Sequence, residues 1–134
     1  MENLLQIVAA ACVASLVGGM VFFPTVVAPS VFKSLDMDRA GAFLRSMFPR
    51  YYAYIIVLSG IGGAAMYQAA VPSLVMGAIA VSTLWVRQSL MPSINAARDR
   101  DDEAAFKRGH MLSVVINMAQ LLALVWIGVG LLQT

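Results

Sequence analysis

Long apolar runs without charge are the feature that most constrains this chain. Residues 3–32 and 51–86 contain no Asp, Glu, Lys or Arg, and residues 109–134 contain only His110 among the strongly polar ionisable types. Only 12% of the 134 residues are charged, whereas 60% are hydrophobic, and a soluble domain carries about 25% charge. This composition excludes a disordered chain, and the single Cys12 excludes a disulfide scaffold. Uncharged runs of this length predict membrane spans.

The lengths of these runs predict how many helices cross the bilayer. A span needs about 20 residues, so 51–86 is too long for one helix and is expected to fold as a hairpin with its break at Pro72. The predicted fold class is all-α: an integral membrane four-helix bundle in which residues 1–134 form a single transmembrane domain. The expected spans are residues 4–27, 51–70, 73–91 and 110–132.

The basic residues predict the orientation of the bundle. All nine Lys and Arg lie in two stretches, 33–50 and 87–108, which four spans would place on one side of the membrane. The positive-inside rule then places the connections 28–50 and 92–109 in the cytoplasm and both termini outside, in what we expect to be a bacterial inner membrane. The basic balance indicates contact with anionic lipid of the bilayer and not with nucleic acid.

The two charged stretches also resemble each other. Sliding the sequence on itself by 63 residues gives seven identities in the 17 positions from Pro29 to Arg45. The identities are Pro29-Ser30 with Pro92-Ser93, Asp36 with Asp99, Asp38 with Asp101, Ala42-Phe43 with Ala105-Phe106, and Arg45 with Arg108. We therefore predict two parallel helical-hairpin repeats, about 1–63 and 64–134.

The repeat predicts where the charged connections end and the following helices begin. Asp36 and Asp99 are expected to be N-caps, since a short carboxylate accepts from free backbone N–H groups. Pro49 is expected to kink or restart the second helix, because proline lacks the N–H that a helix interior uses.

Small residues that recur every four positions predict close helix packing, on which helices in lipid depend for association. Such seams can close the bundle or join protomers, and the sequence leaves both possibilities open. The candidate packing residues are Ala11, Ser15, Gly18, Gly19, Ser59, Gly60, Gly63 and Ala64, and the parallel series Ala10-Ala14-Gly18 has the same spacing.

The predicted fourth span has one polar face. His110, Ser113, Asn117 and Gln120 fall on one side of a helix, and polar side chains in a span normally face partners in the interior. His110 is expected to cap the bundle through hydrogen bonds. The alternatives are a haem b or copper ligand, with Met111, Asn117 or a symmetry mate as the second ligand, and a group that handles protons. Since His110 is the only histidine, no metal or cofactor is predicted.

Three sequence elements resemble a known family. They are Phe48-Pro49-Arg50-Tyr51-Tyr52, the series Phe106, His110, Ser113 and Asn117, and Ala28-Pro29 followed by Phe32. These elements resemble the small transmembrane protein 205-like proteins, a domain-of-unknown-function family, over nearly the whole chain. The resemblance implies a four-helix integral membrane protein. The layout is more distantly similar to copper-resistance D-type four-helix proteins, which implies metal or haem binding through several histidines.

The motifs of common enzymes are missing from the sequence. It contains no Walker loop, no HExxH and no Gly-x-Ser-x-Gly. We therefore expect a non-catalytic packing or assembly role, as a homo-oligomer or as an accessory subunit of a larger membrane complex. The alternatives are a haem- or copper-binding redox protein that uses His110 and a transporter of small solutes.

Overall fold

The computed structural model describes residues 1–133 and is entirely helical over that range, which confirms the predicted helical class. Four long helices follow one another, and two of them contain a short π-helical turn. The segments are α1 (Glu2–Phe22), a first π turn (Phe23–Val27), α2 (Ala28–Ser34), α3 (Met37–Ala65), α4 (Ala70–Trp85), a second π turn (Val86–Leu90), α5 (Met91–Asp99) and α6 (Glu103–Leu132).

Three of the four long helices are long and apolar enough to cross a membrane: Glu2–Ser34, Ala70–Asp99 and Glu103–Leu132. The prediction was four, and α3 is the helix that lacks this character. Its 29 residues are sufficient in length, but its first half is charged and its middle contains three tyrosines, at positions 51, 52 and 54. A helix of 33 residues is about 50 Å long, well beyond the roughly 30 Å of bilayer hydrocarbon.

The two π turns allow a proline to lie inside a continuous helix. In the first turn the N–H of Ala28 donates to the carbonyl of Phe23, five residues back, and Pro29 follows directly. In the second turn the N–H of Met91 donates to the carbonyl of Val86, and Pro92 follows. A proline ring clashes with the carbonyl four residues before it, so the wider turn accommodates the ring. Sequence periodicity did not predict these turns.

The helix ends correct several boundary predictions. Asp36 is the N-cap of α3 and accepts from the N–H of Arg39 at 2.9 Å, as predicted. The prediction for Asp99 is wrong: it ends α5, and Asp102 caps α6 instead. Asp101 occupies the intervening turn at φ 57°, a left-handed conformation that aspartate tolerates better than most residues.

The predicted hairpin in 51–86 is present, but its break comes earlier than Pro72. α3 ends at Ala65 and α4 begins at Ala70, so that Pro72 lies in the first turn of α4, where its missing N–H costs little. α3 also continues through Pro49 and does not restart there. Both prolines are therefore tolerated inside helices.

The helices form a ring in the order α1, α3, α4, α6, because each of these packs against the next and α6 returns to α1. Side chains from all four helices fill the centre of the ring. The most deeply buried large ones are Leu16, Met20, Ile55, Met76 and Leu124. The core lies between the two ends of the bundle. The charged end contains the connections that follow α2 and α5, and the opposite end contains the 66–69 turn.

Candidate functional site

The polar face of α6 is divided between the interior and a cleft. Gln120 is buried, and its Nε2 donates to the Ser82 hydroxyl at 2.8 Å and to the Thr83 hydroxyl at 3.0 Å. One turn closer to the charged end, Asn117 Oδ1 accepts from the Tyr51 hydroxyl at 3.1 Å. These bonds tie α6 to α4 and to α3. The Ser82-Thr83 pair was missed in the sequence, although two adjacent hydroxyls in an apolar helix were a visible signal.

The other two residues of that face have a different environment. Ser113 is half-buried and its hydroxyl donates to the backbone carbonyl of His110 at 2.7 Å. His110 is exposed, and its ring lies parallel to that of Phe106 with 6.0 Å between the centroids. His110 therefore lies outside the core, and its ring forms none of the side-chain hydrogen bonds found among residues 1–133, so the expected hydrogen-bonded cap is not present there. Met111 beside it is 60% exposed. Among residues 1–133, no three His, Cys, Asp or Glu side chains come together as metal ligands.

Aromatic rings gather where the first π turn meets the Phe48-Pro49-Arg50-Tyr51-Tyr52 element. Phe23 stacks on Tyr51 at 4.7 Å and meets Phe48 edge-on at 5.3 Å, and Phe48 in turn lies over Tyr52 at 5.8 Å. Aromatic pairs at these distances stabilise a fold beyond the area they bury. The aromatic residues of the family-like element thus form one cluster, which Phe23 joins from the first π turn.

Arg87 supports the same region from the second π turn. Its Nε donates to the carbonyl of Pro49 at 3.0 Å, which joins the second helical hairpin to the proline of the first. The side chain is half-buried. The hydrogen bond to the Pro49 carbonyl gives the guanidinium a polar partner, which makes an arginine beside an apolar span less costly.

A cleft of about 770 Å³ opens at the charged end of the bundle, between α2, α3, α5 and α6. Phe48 and Tyr52 of the family-like element line it, together with Phe106 and His110 of α6. The structure therefore brings two separate sequence motifs to one site. Arg98, which sequence reasoning did not single out, lies over the Phe106 ring with its Cζ 5.7 Å from the centroid.

An ion pair joins the two halves of the chain at the edge of this cleft. Arg45 of α3 donates to both carboxylate oxygens of Asp99 at 2.9 and 2.7 Å, and both side chains are exposed. The hydrogen bonds from Arg45 lower the pKa of Asp99 below its ordinary value, with a further contribution from the nearby charge of Arg98. The pair links α3 to the end of α5.

The small residues divide into an inner and an outer set. The inner set is packed: a β-carbon on Gly63 would lie 3.1 Å from Met76 Cβ, one on Gly19 would lie 2.9 Å from Tyr54 Cε1, and Ser59 is fully buried. Tyr54 also donates a short hydrogen bond to the carbonyl of Ser15. The outer set consists of Ala11, Ser15, Gly18, Gly60 and Ala64. Ala11, Ser15 and Ala64 are exposed, and a β-carbon on either glycine would meet open space.

A second cavity of about 570 Å³ lies at the opposite end. It is lined mainly by apolar groups, including Met66, Pro72 and Trp126, with Glu2 and Gln68 among its polar groups. The buried core lies between this cavity and the charged cleft.

Comparison with known proteins identifies a family. The family model described as a domain of unknown function, DUF4149, matches residues 11–103, from the middle of α1 to the first residue of α6. A search of curated proteins and a search of solved structures gave no significant match. The matched segment contains the aromatic cluster, the two π turns and the Arg45–Asp99 pair, whereas His110 and the rest of α6 follow it. Because the match covers more than half of the chain, the protein belongs to the DUF4149 family.

Proposed function

We propose that this protein is a small polytopic membrane protein with a non-catalytic packing or assembly role, either as a homo-oligomer or as an accessory subunit of a larger membrane complex. The observation that carries the proposal is the outer face of α1. Ala10, Ala14 and Gly18 are all exposed there, and a β-carbon on Gly18 would have no neighbour within 4 Å. Small residues at this spacing allow a second helix to approach closely in lipid.

Insertion in the membrane is supported by the outward side chains. Leu74 and Val81 on one face of α4 and Leu122 on α6 are 66–73% exposed, and apolar surface of that extent is stable against lipid rather than water. The charged connections gather at one end, which the positive-inside rule assigns to the cytoplasm with both termini outside. A bacterial inner membrane fits this orientation.

A duplicated hairpin is supported by the position of the π turns. They begin at Phe23 and Val86, which are 63 residues apart, the same offset that relates the charged connections. Under that offset the Arg45–Asp99 pair corresponds to Arg108 and Asp36. Asp36 lies instead 3.9 Å from Arg39, so the two halves differ in this contact.

The resemblance to transmembrane protein 205-like proteins remains part of the proposal. Its Phe48-Pro49 and Tyr51-Tyr52 residues lie within the matched segment 11–103 and form the aromatic cluster. The motif in α6 lies beyond that segment but faces the same cleft through Phe106 and His110. This convergence supports one family-wide site that includes α6.

Assembly is favoured over solute transport by the interior. The charged cleft and the opposite cavity are separated by Leu16, Ile55, Met76 and Leu124, each with no exposed area. Within residues 1–133, every fully buried side-chain nitrogen or oxygen has a hydrogen-bond partner. A polar path through the bundle would need to displace this core.

Substitution on the outer face of α1 tests the proposal. Gly18→Leu fills the space that a partner helix would occupy, and Gly77→Leu is the matched control because Gly77 of α4 also faces open space. Mass measurement of the purified protein in nanodiscs or mild detergent, with crosslinking in native membranes, gives the assembly state. We expect wild type and Gly77→Leu to form the same complex and Gly18→Leu to lose it. A wild-type chain that is monomeric and copurifies with no membrane subunit would refute the proposal.

A further inference from the structure

Two arginines mark where the apolar part of the α3–α4 hairpin ends. Starting from Gln68 in the turn at the opposite end, Arg50 of α3 and Arg87 of the second π turn are the first charged residues in either direction along the chain. At about 1.5 Å per residue they lie roughly 27–29 Å from that turn. The hydrocarbon of a bilayer is roughly 30 Å thick, so both arginines lie where hydrocarbon meets the lipid headgroups.

The two arginines belong to different helices and meet at Pro49. Arg87 Nε donates to the carbonyl of Pro49 at 3.0 Å, and Arg50 is the next residue after Pro49. The Arg87 guanidinium therefore lies beside the backbone from which the Arg50 side chain extends. Arg87 is half-buried, whereas Arg50 is exposed. One ligand at this edge of the hairpin is within reach of both guanidinium groups.

No carboxylate on their own helices balances these two charges. Among residues 1–133, the Arg50 side chain forms no ion pair or hydrogen bond, and Arg87 forms only its bond to Pro49. Asp38 and Asp99 are the nearest acids on the two helices, and each is 12 residues away, which is about 18 Å along the helix axis. Asp99 is also already bonded to another arginine at the edge of the cleft.

The other two helices bring no acid to this level of the bundle. Asn117 of α6 and Phe23 of the first π turn contact Tyr51, the residue after Arg50, through a hydrogen bond and ring stacking. The first carboxylates toward the charged end are those of Glu103 on α6 and Asp36 after α2, 14 and 13 residues further on. Those separations correspond to roughly 20 Å along the bundle. The arginine pair is thus without a counter-ion from the chain.

A lipid phosphate has the charge and the depth that this pair requires. A cation at the edge of the hydrocarbon is costly unless it reaches polar groups or an opposite charge, and guanidinium groups bind phosphate through paired N–H donors. Basic pockets between membrane helices bind anionic headgroups in this way. A zwitterionic headgroup also carries an ammonium group, which a second arginine repels, so the pair favours a headgroup with net negative charge.

We propose that Arg50 and Arg87 bind the phosphate of an anionic phospholipid in the leaflet at the charged end of the bundle. Arg87 is fixed by its hydrogen bond to Pro49 and donates from its remaining N–H groups, while the exposed Arg50 contacts the phosphate from the lipid side. The site rests on the proposed insertion in the membrane. It is independent of assembly through the outer face of α1.

Native mass spectrometry of the full chain in mild detergent tests the proposal, because it counts bound lipids and gives a dissociation constant for each. The probes are phosphatidylglycerol and phosphatidylcholine with the same acyl chains. We expect the first phosphatidylglycerol to bind about tenfold more tightly, and equal dissociation constants would overturn the proposal. Glycerol phosphate, which has the anion without acyl chains, should not compete, and displacement of the lipid by it would show that the ligand is a free phosphate. The same spectra give the oligomeric state, so failure of the lipid site is distinct from failure of the proposed assembly.

Single substitutions locate the bound lipid. Arg50→Gln changes an exposed side chain and should lower the preference for phosphatidylglycerol about fivefold, and Arg87→Gln should have a similar effect at wild-type helicity. Arg39→Gln is the matched control, because it removes the same charge at the same end, beside Asp36 and far from the hydrocarbon. Its preference should equal that of wild type. An unchanged preference in Arg50→Gln, or an equal loss in Arg39→Gln, would show that the attraction is general and would refute the site.

Discussion

Removing the buried amide of Gln120 should weaken the bundle by a predictable amount. Its Nε2 makes two interhelical hydrogen bonds, to Ser82 at 2.8 Å and to Thr83 at 3.0 Å. Such bonds in membrane helices contribute about 0.6 kcal/mol each on average, with a maximum near 1.7. Gln120→Leu, which keeps an apolar side chain of similar size, should therefore lower the free energy of unfolding by about 1–2 kcal/mol.

A double-mutant cycle separates this bonding from packing. Thr83→Val is nearly isosteric and removes one of the two acceptors, so it should cost about 0.6 kcal/mol. In the double variant that loss should disappear, which gives a coupling energy near 0.6 kcal/mol. The assay is unfolding in mixed micelles, monitored by helicity, with Ser82→Ala as the second arm. Additive losses, with no coupling in either arm, would refute the hydrogen-bonded arrangement of α4 and α6.

Two further predictions concern the charged end and the hairpin. The hydrogen bond from Arg45 lowers the pKa of Asp99. The ion pair therefore stabilises the fold above the unfolded pKa of aspartate, and this stabilisation is lost as the pH falls through the lower folded pKa. Asp99→Asn should remove this acid-dependent part of the melting temperature measured against pH, and an unchanged profile would contradict the prediction. Gly63→Leu should destabilise by about 1–3 kcal/mol, because a β-carbon there already lies 3.1 Å from Met76 Cβ. Gly60→Leu, which meets open space, should leave unfolding in detergent nearly unchanged, and equal losses in the two variants would argue against the close packing of α3 and α4.

The sequence was most informative where one physical requirement dominates. The uncharged run 51–86 is too long for a single crossing, which correctly predicted a hairpin. The short carboxylate of Asp36 correctly predicted the N-cap of the helix that follows it. At the second connection two aspartates compete. Asp102 is the N-cap of α6 because the chain turns through Asp101 in a left-handed conformation before that helix begins. Local propensity alone does not choose between neighbouring caps of the same type.

The site was less predictable because its geometry depends on contacts between distant segments. The polar face of α6 was visible from its spacing. Its division into a buried Gln120 and an exposed His110 was not, because Gln120 is bonded to Ser82 and Thr83 of α4, which are distant in sequence. The hydrogen bond between Tyr51 and Asn117 was not predictable either. The Tyr51 hydroxyl donates to Asn117 Oδ1. Which of the two adjacent tyrosines forms this bond depends on how α6 packs against α3.

The two proposed repeats contribute different residues to the cleft at the charged end. Phe48 and Tyr52 correspond under the 63-residue offset to Met111 and Val115, so these two rings of the cleft lining have no aromatic equivalent on α6. The acidic turn is likewise richer on the second connection, where Asp102 and Glu103 follow Asp101. A symmetric bundle would present two equal clefts, whereas here the first hairpin supplies Phe48 and Tyr52 and the second supplies Phe106 and four of the five carboxylates. The asymmetry therefore predicts one cleft of this kind in each chain and not a symmetric pair.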